Sequence, residues 1–192
     1  MVVFSFLFNE LATYQCKPRD LQVVVIHDIP NNVESTSASR SFLLDAQPLT
    51  IRRAAVDEIV DLRHRVLRAD LPRESAIFPG DELPGSRHFG VFDAQTAICC
   101  ATFHIEPWQN EPAWRLRGMA TDDNFRSKGV GRALLNFAEE MMISENPIRL
   151  FWCNARTPAA RFYQSMDWKI VSDIFEIPTA GPHYVMIKRL DR

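Results

Sequence analysis

From Leu49 onward, hydrophobic and polar positions follow periods that mark out one element after another. Leu49-Thr-Ile-Arg-Arg53 alternates with the period of two expected of a half-buried strand. Val56, Ile59, Val60, Val66 and Leu67 fall mostly on one helical stripe, with Asp57, Asp61, Arg65 and Arg68 elsewhere, which predicts a helix over 55–68. A connection rich in breakers follows, with Pro72, Pro79, Gly80, Pro84 and Gly85. Strands are predicted over 88–93, 97–106 and 113–121, and their short connections predict an antiparallel meander. A helix over 131–143 carries Leu134, Leu135, Ala138, Met141 and Met142 on one face. A strand over 148–153, a short helix over 158–165 opened by Pro158, and strands over 169–177 and 183–188 complete the chain. This order predicts an α/β (α+β) fold: a single mixed, mostly antiparallel central sheet flanked by helices, not a doubly wound sheet.

The first 48 residues read differently. Leu21-Gln-Val-Val-Val-Ile26 could form a strand, but residues 30–40 are polar, serine-rich and aperiodic, as in a linker. A boundary near Pro48 therefore divides the chain into an N-terminal extension, 1–48, and a domain, 49–192. The extension is either an appendage packed on the domain or a weakly structured tail. Its three Lys/Arg and five Asp/Glu account for the whole net charge of −2, leaving 19 of each sign in 49–192. That balance gives no general drive toward nucleic acid or an anionic membrane. No apolar run approaches the roughly 18 residues that cross a bilayer. The apolar start is interrupted by Asn9 and Glu10 and lacks a basic flank, so it makes a poor signal peptide. Cys16, Cys99, Cys100 and Cys153 show neither CxxC spacing nor a histidine at ligand spacing; reduced thiols, no metal and a cytoplasmic location are expected. Trp108, Trp114, Trp152 and Trp168 are scattered without basic interleaving, against single-strand nucleic-acid binding.

The richest stretch joins the third meander strand to the second long helix: Met119-Ala-Thr-Asp-Asp-Asn-Phe-Arg-Ser-Lys-Gly-Val-Gly131. Backbone N–H groups at a helix N-terminus, with glycines permitting close approach, suit an anion such as phosphate, and Arg126, Lys128 and Arg132 add positive charge. An unliganded strand-to-helix turn is the plainer alternative. Leu134 stands where a dinucleotide fingerprint wants a small residue, and Lys128 precedes Gly129 where a P-loop wants Gly-Lys-Ser/Thr.

The pattern Arg126-x-x-Gly129-x-Gly131 resembles the acyl-CoA pyrophosphate loop of the GNAT superfamily of N-acetyltransferases, with Thr121 where an aliphatic residue is usual. Asn154-Ala-Arg-Thr-Pro-Ala-Ala-Arg-Phe-Tyr163 resembles that family's strand-end Asn and Phe-Tyr helix, although Asp167-Trp168 replaces the usual Gly-Phe. Gly181-Pro-His-Tyr-Val-Met186 is similar to the Pro-His-x-x-Met ending of one subset. The resemblance spans 49–192. It implies an N-acetyltransferase that moves an acetyl group from acetyl-CoA, as cosubstrate, to a small-molecule or protein amine by direct attack in a ternary complex. A non-catalytic acyl-CoA-binding module on the same fold is the alternative.

By the same resemblance, Arg126, Ser127, Lys128, Gly129, Val130 and Gly131 would hold the pyrophosphate. Met119, Ala120 and Thr121 would pair with the pantetheine arm and polarise the thioester carbonyl, and Asn154 would contact the cofactor. Tyr163 is the candidate general acid, since a phenol near pKa ~10 can protonate a thiolate whose thiol pKa is ~8.5. Glu106 is the candidate base, with His104, His88, His183 or a water as alternatives. Residues 62–82 are expected to build the acceptor pocket, with Asp81 and Glu82 attracting a cationic amine and Phe78 exposed. The acceptor and the oligomeric state, a homodimer included, stay open.

Overall fold

A computed structural model describes residues 38–190. Nine strands form one sheet in the order β1-β2-β3-β4-β5-β6-β9-β7, with β8 also on β9. The strands are β1 (Ser39–Leu44), β2 (Gln47–Arg53), β3 (Arg87–Asp93), β4 (Thr96–Ile105), β5 (Trp114–Thr121), β6 (Leu150–Arg156), β7 (Lys169–Ile170), β8 (Phe175–Ile177) and β9 (Gly181–Arg189). The helices are α1 (Val56–Leu67), α2 (Val130–Glu145) and α3 (Ala160–Gln164). Every pairing is antiparallel except β5 with β6, in keeping with the mixed, mostly antiparallel sheet expected from the element order.

β4 is the hub. Residues 97–104 are all buried because helices cover both faces. On one face Cys99, Ala101 and Phe103 pack with Leu134, Leu135 and Ala138 of α2 and with Tyr163 of α3. On the other, Cys100 packs with Ile59 and Leu62 of α1. The adjacent cysteines thus face opposite ways, and burial raises their thiols, to about 12 for Cys99 and about 11 for Cys100.

Two expectations change. The sheet begins before residue 48: β1 pairs with β2 across the turn Asp45-Ala46, both at positive φ (50° and 67°), the twist that two-residue hairpins favour. Phe42 and Leu44 enter the core while Arg40 pairs with Glu140 at 2.7 Å, so the linker-like run ends in a strand. The alternation there lasts only a few residues behind serines, which hid it. The single strand expected over 169–177 is two short ones, because Ser172 turns inward and its Oγ accepts from the Val185 N–H at 2.8 Å. The run 21–26, the apolar start and Cys16 lie outside the described residues. Among the described residues no helix is long and apolar enough to cross a membrane.

Candidate active site

β5 and β6 pair only from Trp114 opposite Phe151 to Leu116 opposite Cys153, and then diverge. Arg117–Thr121 on one side and Asn154–Arg156 on the other form the arms of a fork, while β5 keeps β4 and β6 keeps β9. Backbone N–H and C=O groups along the β5 arm consequently face an opening, where an extended amide chain could pair. Asn154 is the first β6 residue beyond the last pair. It is half-buried, and its side-chain amide meets no partner among the described residues.

The β5 arm runs directly into the loop that resembled a phosphate cradle. Asp122 accepts from the Asn124 N–H at 3.1 Å and tightens the entry. Ser127 (φ 59°) and Gly129 (φ 81°) then turn the backbone so that successive N–H groups gather at the start of α2, with Gly129 as its N-cap. The first turn of α2 holds no acidic side chain, which leaves its positive dipole end uncompensated. Arg126 reaches the Thr121 carbonyl and pairs with Asp123 at 2.8 Å, Lys128 lies 3.7 Å from Asp45, and Arg132 holds Ser165. Val130 is fully buried, so it has only its backbone to offer a ligand. Gly131 is pressed against the fork: a Cβ there would stand 3.1 Å from Met119 Cε and 3.4 Å from a Phe162 ring carbon. Nest, dipole, cations and opening are contiguous, and they fit a diphosphate joined to an extended amide arm.

Tyr163 closes the α2 side of the fork. Its ring packs between Phe162 and Trp168, and its hydroxyl donates to Met119 Sδ at 3.5 Å. Burial raises its pKa well above the ordinary 10, helped by Cys153 and Cys99, so it stays protonated. Asp167 lies at φ 66°, the left-handed position that a glycine would fill, and the Trp168 N–H returns to the Tyr163 carbonyl at 3.1 Å.

The expected base is placed elsewhere. Glu106 follows β4, with its N–H donating to the Ala113 carbonyl. Met119 lies six positions along the chain from that point, about 20 Å of strand. Burial pushes the Glu106 carboxyl up, but hydrogen bonds from Arg115 (2.7 and 2.8 Å) and His104 (2.9 Å) outweigh it and hold the carboxyl below 4.5. A carboxylate so held is a weak proton acceptor. His88 is engaged at both nitrogens, by Thr102 Oγ1 and the Asp81 carbonyl, and burial lowers its pKa. His183 contacts the Gly181 carbonyl at 2.7 Å.

The loop expected to build the acceptor pocket also differs from expectation. Asp81 is 5% exposed and bound to Arg63 at 2.6 Å, with its oxygen also accepting from the Phe78 N–H, so it is not free to attract an amine. Arg63, fully buried, also holds Thr102 and the Ala76 carbonyl, pinning the loop to α1 and β4. Phe78 is half-buried among Arg63, Arg68 and Arg117. Arg115 and Arg117 alternate with Trp114 and Leu116, the pattern of a solvent-facing side; only the overlying loop makes them part of a site. Trp108 and Trp152, distant in sequence, pack at 5.2 Å beneath Arg115. Among the described residues no group of histidines, cysteines and carboxylates could hold a metal ion.

Comparison with known proteins agrees with this architecture. The Acetyltransferase (GNAT) family profile matches residues 54–168. An uncharacterized N-acetyltransferase of Bacillus subtilis (strain 168), YitI, is 36% identical over 145 residues, 74% of this chain and 97% of the relative. Among solved structures, Escherichia coli ElaA superposes with a TM-score of 0.59 at 19% identity, covering 70% of this chain and 89% of ElaA. An aminoglycoside 6'-N-acetyltransferase complexed with coenzyme A gives 0.57 at 16% identity, over 71% of this chain and 92% of that one. The fork, the loop with its glycines and the matched residues lead to one conclusion: the chain belongs to the GNAT acetyltransferase family and is an acyltransferase.

Proposed function

We propose that the protein transfers the acetyl group of acetyl-CoA to a primary amine, of a small molecule or a protein, by direct attack within a ternary complex. The observation that carries this reading is the continuity of the β5–β6 fork with the Arg126–Gly131 loop, with the Tyr163 hydroxyl facing Met119 at their junction. Acetyl-CoA supplies the thioester whose carbonyl carbon the amine attacks.

The chain's own residues do the rest. Backbone N–H groups of Ser127–Gly131 hold the pyrophosphate, supported by Arg126 and Lys128. Met119, Ala120 and Thr121 present backbone to the pantetheine arm, and an N–H there stabilises the oxyanion. Asn154 holds the arm from the β6 side. Tyr163, kept protonated by burial, donates its proton toward the departing thiolate sulfur. Glu106 acts as an anchor for Arg115 and His104, and water takes up the proton that the attacking amine loses. The buried free thiols of Cys99, Cys100 and Cys153 suit a reducing cytoplasm.

Calorimetric titration with acetyl-CoA tests the donor, and thiol release with an amine panel tests the transfer. Saturable acetyl-CoA binding is expected, followed by amine-dependent release of CoA. Absence of binding would remove the proposal.

A further inference from the structure

Arg117 is the first β5 residue beyond the last β5–β6 pair. It lies opposite Thr102, on the side where Thr102 meets Arg63 of α1. Its Nη1 donates to the Pro79 carbonyl at 2.6 Å, and its guanidinium carbon stands 5.5 Å from the Phe78 ring centre. Arg68, the C-cap of α1, reaches the same ring at 5.4 Å. Arg68 and Arg156, the last residue of β6, both donate to the Leu67 carbonyl at 3.2 Å. Arg68 and Arg117 thereby share one aromatic ring, and Arg156 joins Arg68 at the Leu67 carbonyl, so the two arms of the fork and the end of α1 bring three guanidiniums together.

Among the described residues none of the three pairs with a carboxylate. The nearby acids are taken: Asp81 by Arg63, and Glu106 by Arg115. Guanidinium does not discharge at neutral pH, so clustered and partly buried arginines hold a positive potential that an anion would relieve. Burial is the main cause that lowers the pKa of Arg117 and Arg156, and the neighbouring charges of Arg115 beside Arg117 and Arg68 beside Arg156 add to it. The phosphate-cradling loop cannot claim them, because α2 packs on the opposite face of the sheet. Their planar forks suit a carboxylate, and the Phe78 ring offers an apolar surface beside it.

We propose that Arg68, Arg117 and Arg156 bind a carboxylate carried by the acceptor, so that the substrate is an amine of amino-acid type that enters on the α1 side of the fork. This rests on the acetyl transfer proposed above.

The full-length protein is assayed by thiol release from acetyl-CoA, with glycine, β-alanine, glutamate and phenylalanine each set against its carboxamide. Acetyl-CoA binding is measured separately by calorimetry. The acids are expected to exceed their amides in kcat/KM by about 10-fold or more. Arg117→Gln and Arg156→Gln should each raise KM for the best acid about 10- to 100-fold and bring the acid-to-amide ratio toward one. Arg117→Lys and Arg156→Lys should restore part of that preference, while acetyl-CoA affinity holds in all four variants. Equal or better use of the amides, no acetylation of any acid, or weakened acetyl-CoA binding in the glutamine variants would overturn the assignment. The last result would give the cluster to the cofactor. Failure of the unaltered protein to bind acetyl-CoA would instead overturn the underlying reaction, and this proposal with it.

Discussion

The two faces of the sheet at the fork are built on opposite principles. Under α2 and α3 the face at the fork is apolar: Trp114, Leu116, Cys153 and Tyr163 pack together, the buried ion pair under α2, Glu139 with Lys188, reaches β9 instead, and burial, helped by Cys153 and Cys99, keeps the Tyr163 proton in place. Under α1 and the 72–86 loop it is ionic, with Arg63 and Asp81 buried as a pair and Arg115 and Arg117 half-buried. The same strand, β5, supplies both by simple alternation. One face therefore shields a neutral phenol, while the other holds fixed charges.

The sharpest way to break the contrast is at the phenol. Tyr163→Phe keeps the packing but removes the proton; kcat should fall about 10²- to 10⁴-fold, with acetyl-CoA affinity nearly unchanged by calorimetry. An unchanged kcat would remove Tyr163 from the mechanism. The unaltered enzyme should also show no basic limb from Tyr163 below pH ~10, since burial moves the phenol upward.

On the ionic face, Asp81→Ala strands the buried Arg63 guanidinium, and urea unfolding should register a loss of about 3–5 kcal/mol. A cost below ~1 kcal/mol would show the pair to be solvated. Glu106→Gln is expected to do less. The acidic limb of the kcat profile should persist, because the carboxyl sits apart from Met119 and is already held low. Its stability effect has a definite sign: a depressed carboxyl stabilises the fold above the ordinary 4.5, and that contribution is lost as pH falls through the lowered value. Thermal melts of Glu106→Gln should therefore depend less steeply on pH below 4.5 than those of the unaltered protein. Loss of the acidic limb would restore Glu106 as the base.

The smallest effect is expected at Asp167. Asp167→Gly relieves a side chain at φ 66° but frees the unfolded chain, so Tm should shift by no more than the equivalent of ~1 kcal/mol in either direction. Asp167→Val, which tolerates that φ poorly, should lower Tm by more.

The sites divide by legibility along the same line. The Arg126–Gly131 loop is contiguous and made of backbone, so glycines and flanking cations announce it. Asp167 in the left-handed region was foreseeable for a similar reason: a short polar side chain tolerates that backbone. The ionic face was not legible in the same way. Asp81 and Arg63 are 18 residues apart, and Arg117 and Arg156 lie on different strands, each in a run that reads as ordinary polar alternation. Glu106 stands out because it ends a strand expected to line the cleft and Tyr163 by resemblance, but the register puts them at opposite ends of β5. β1 was missed because four alternating residues behind a serine run carry little periodic signal.

The sequence by itself determined most of the element order from Leu49 onward, the sheet's mixed character and the glycine-bearing turn at Arg126–Gly131, because each depends on local periodicity or on backbone conformations that particular residues allow. Only the tertiary structure decided where the sheet begins, which arginines are covered, which acids are already paired and where the two arms of the fork part. Those are properties of contacts between segments distant in the chain, and no local pattern encodes the cover that turns a solvent-facing arginine into part of a site.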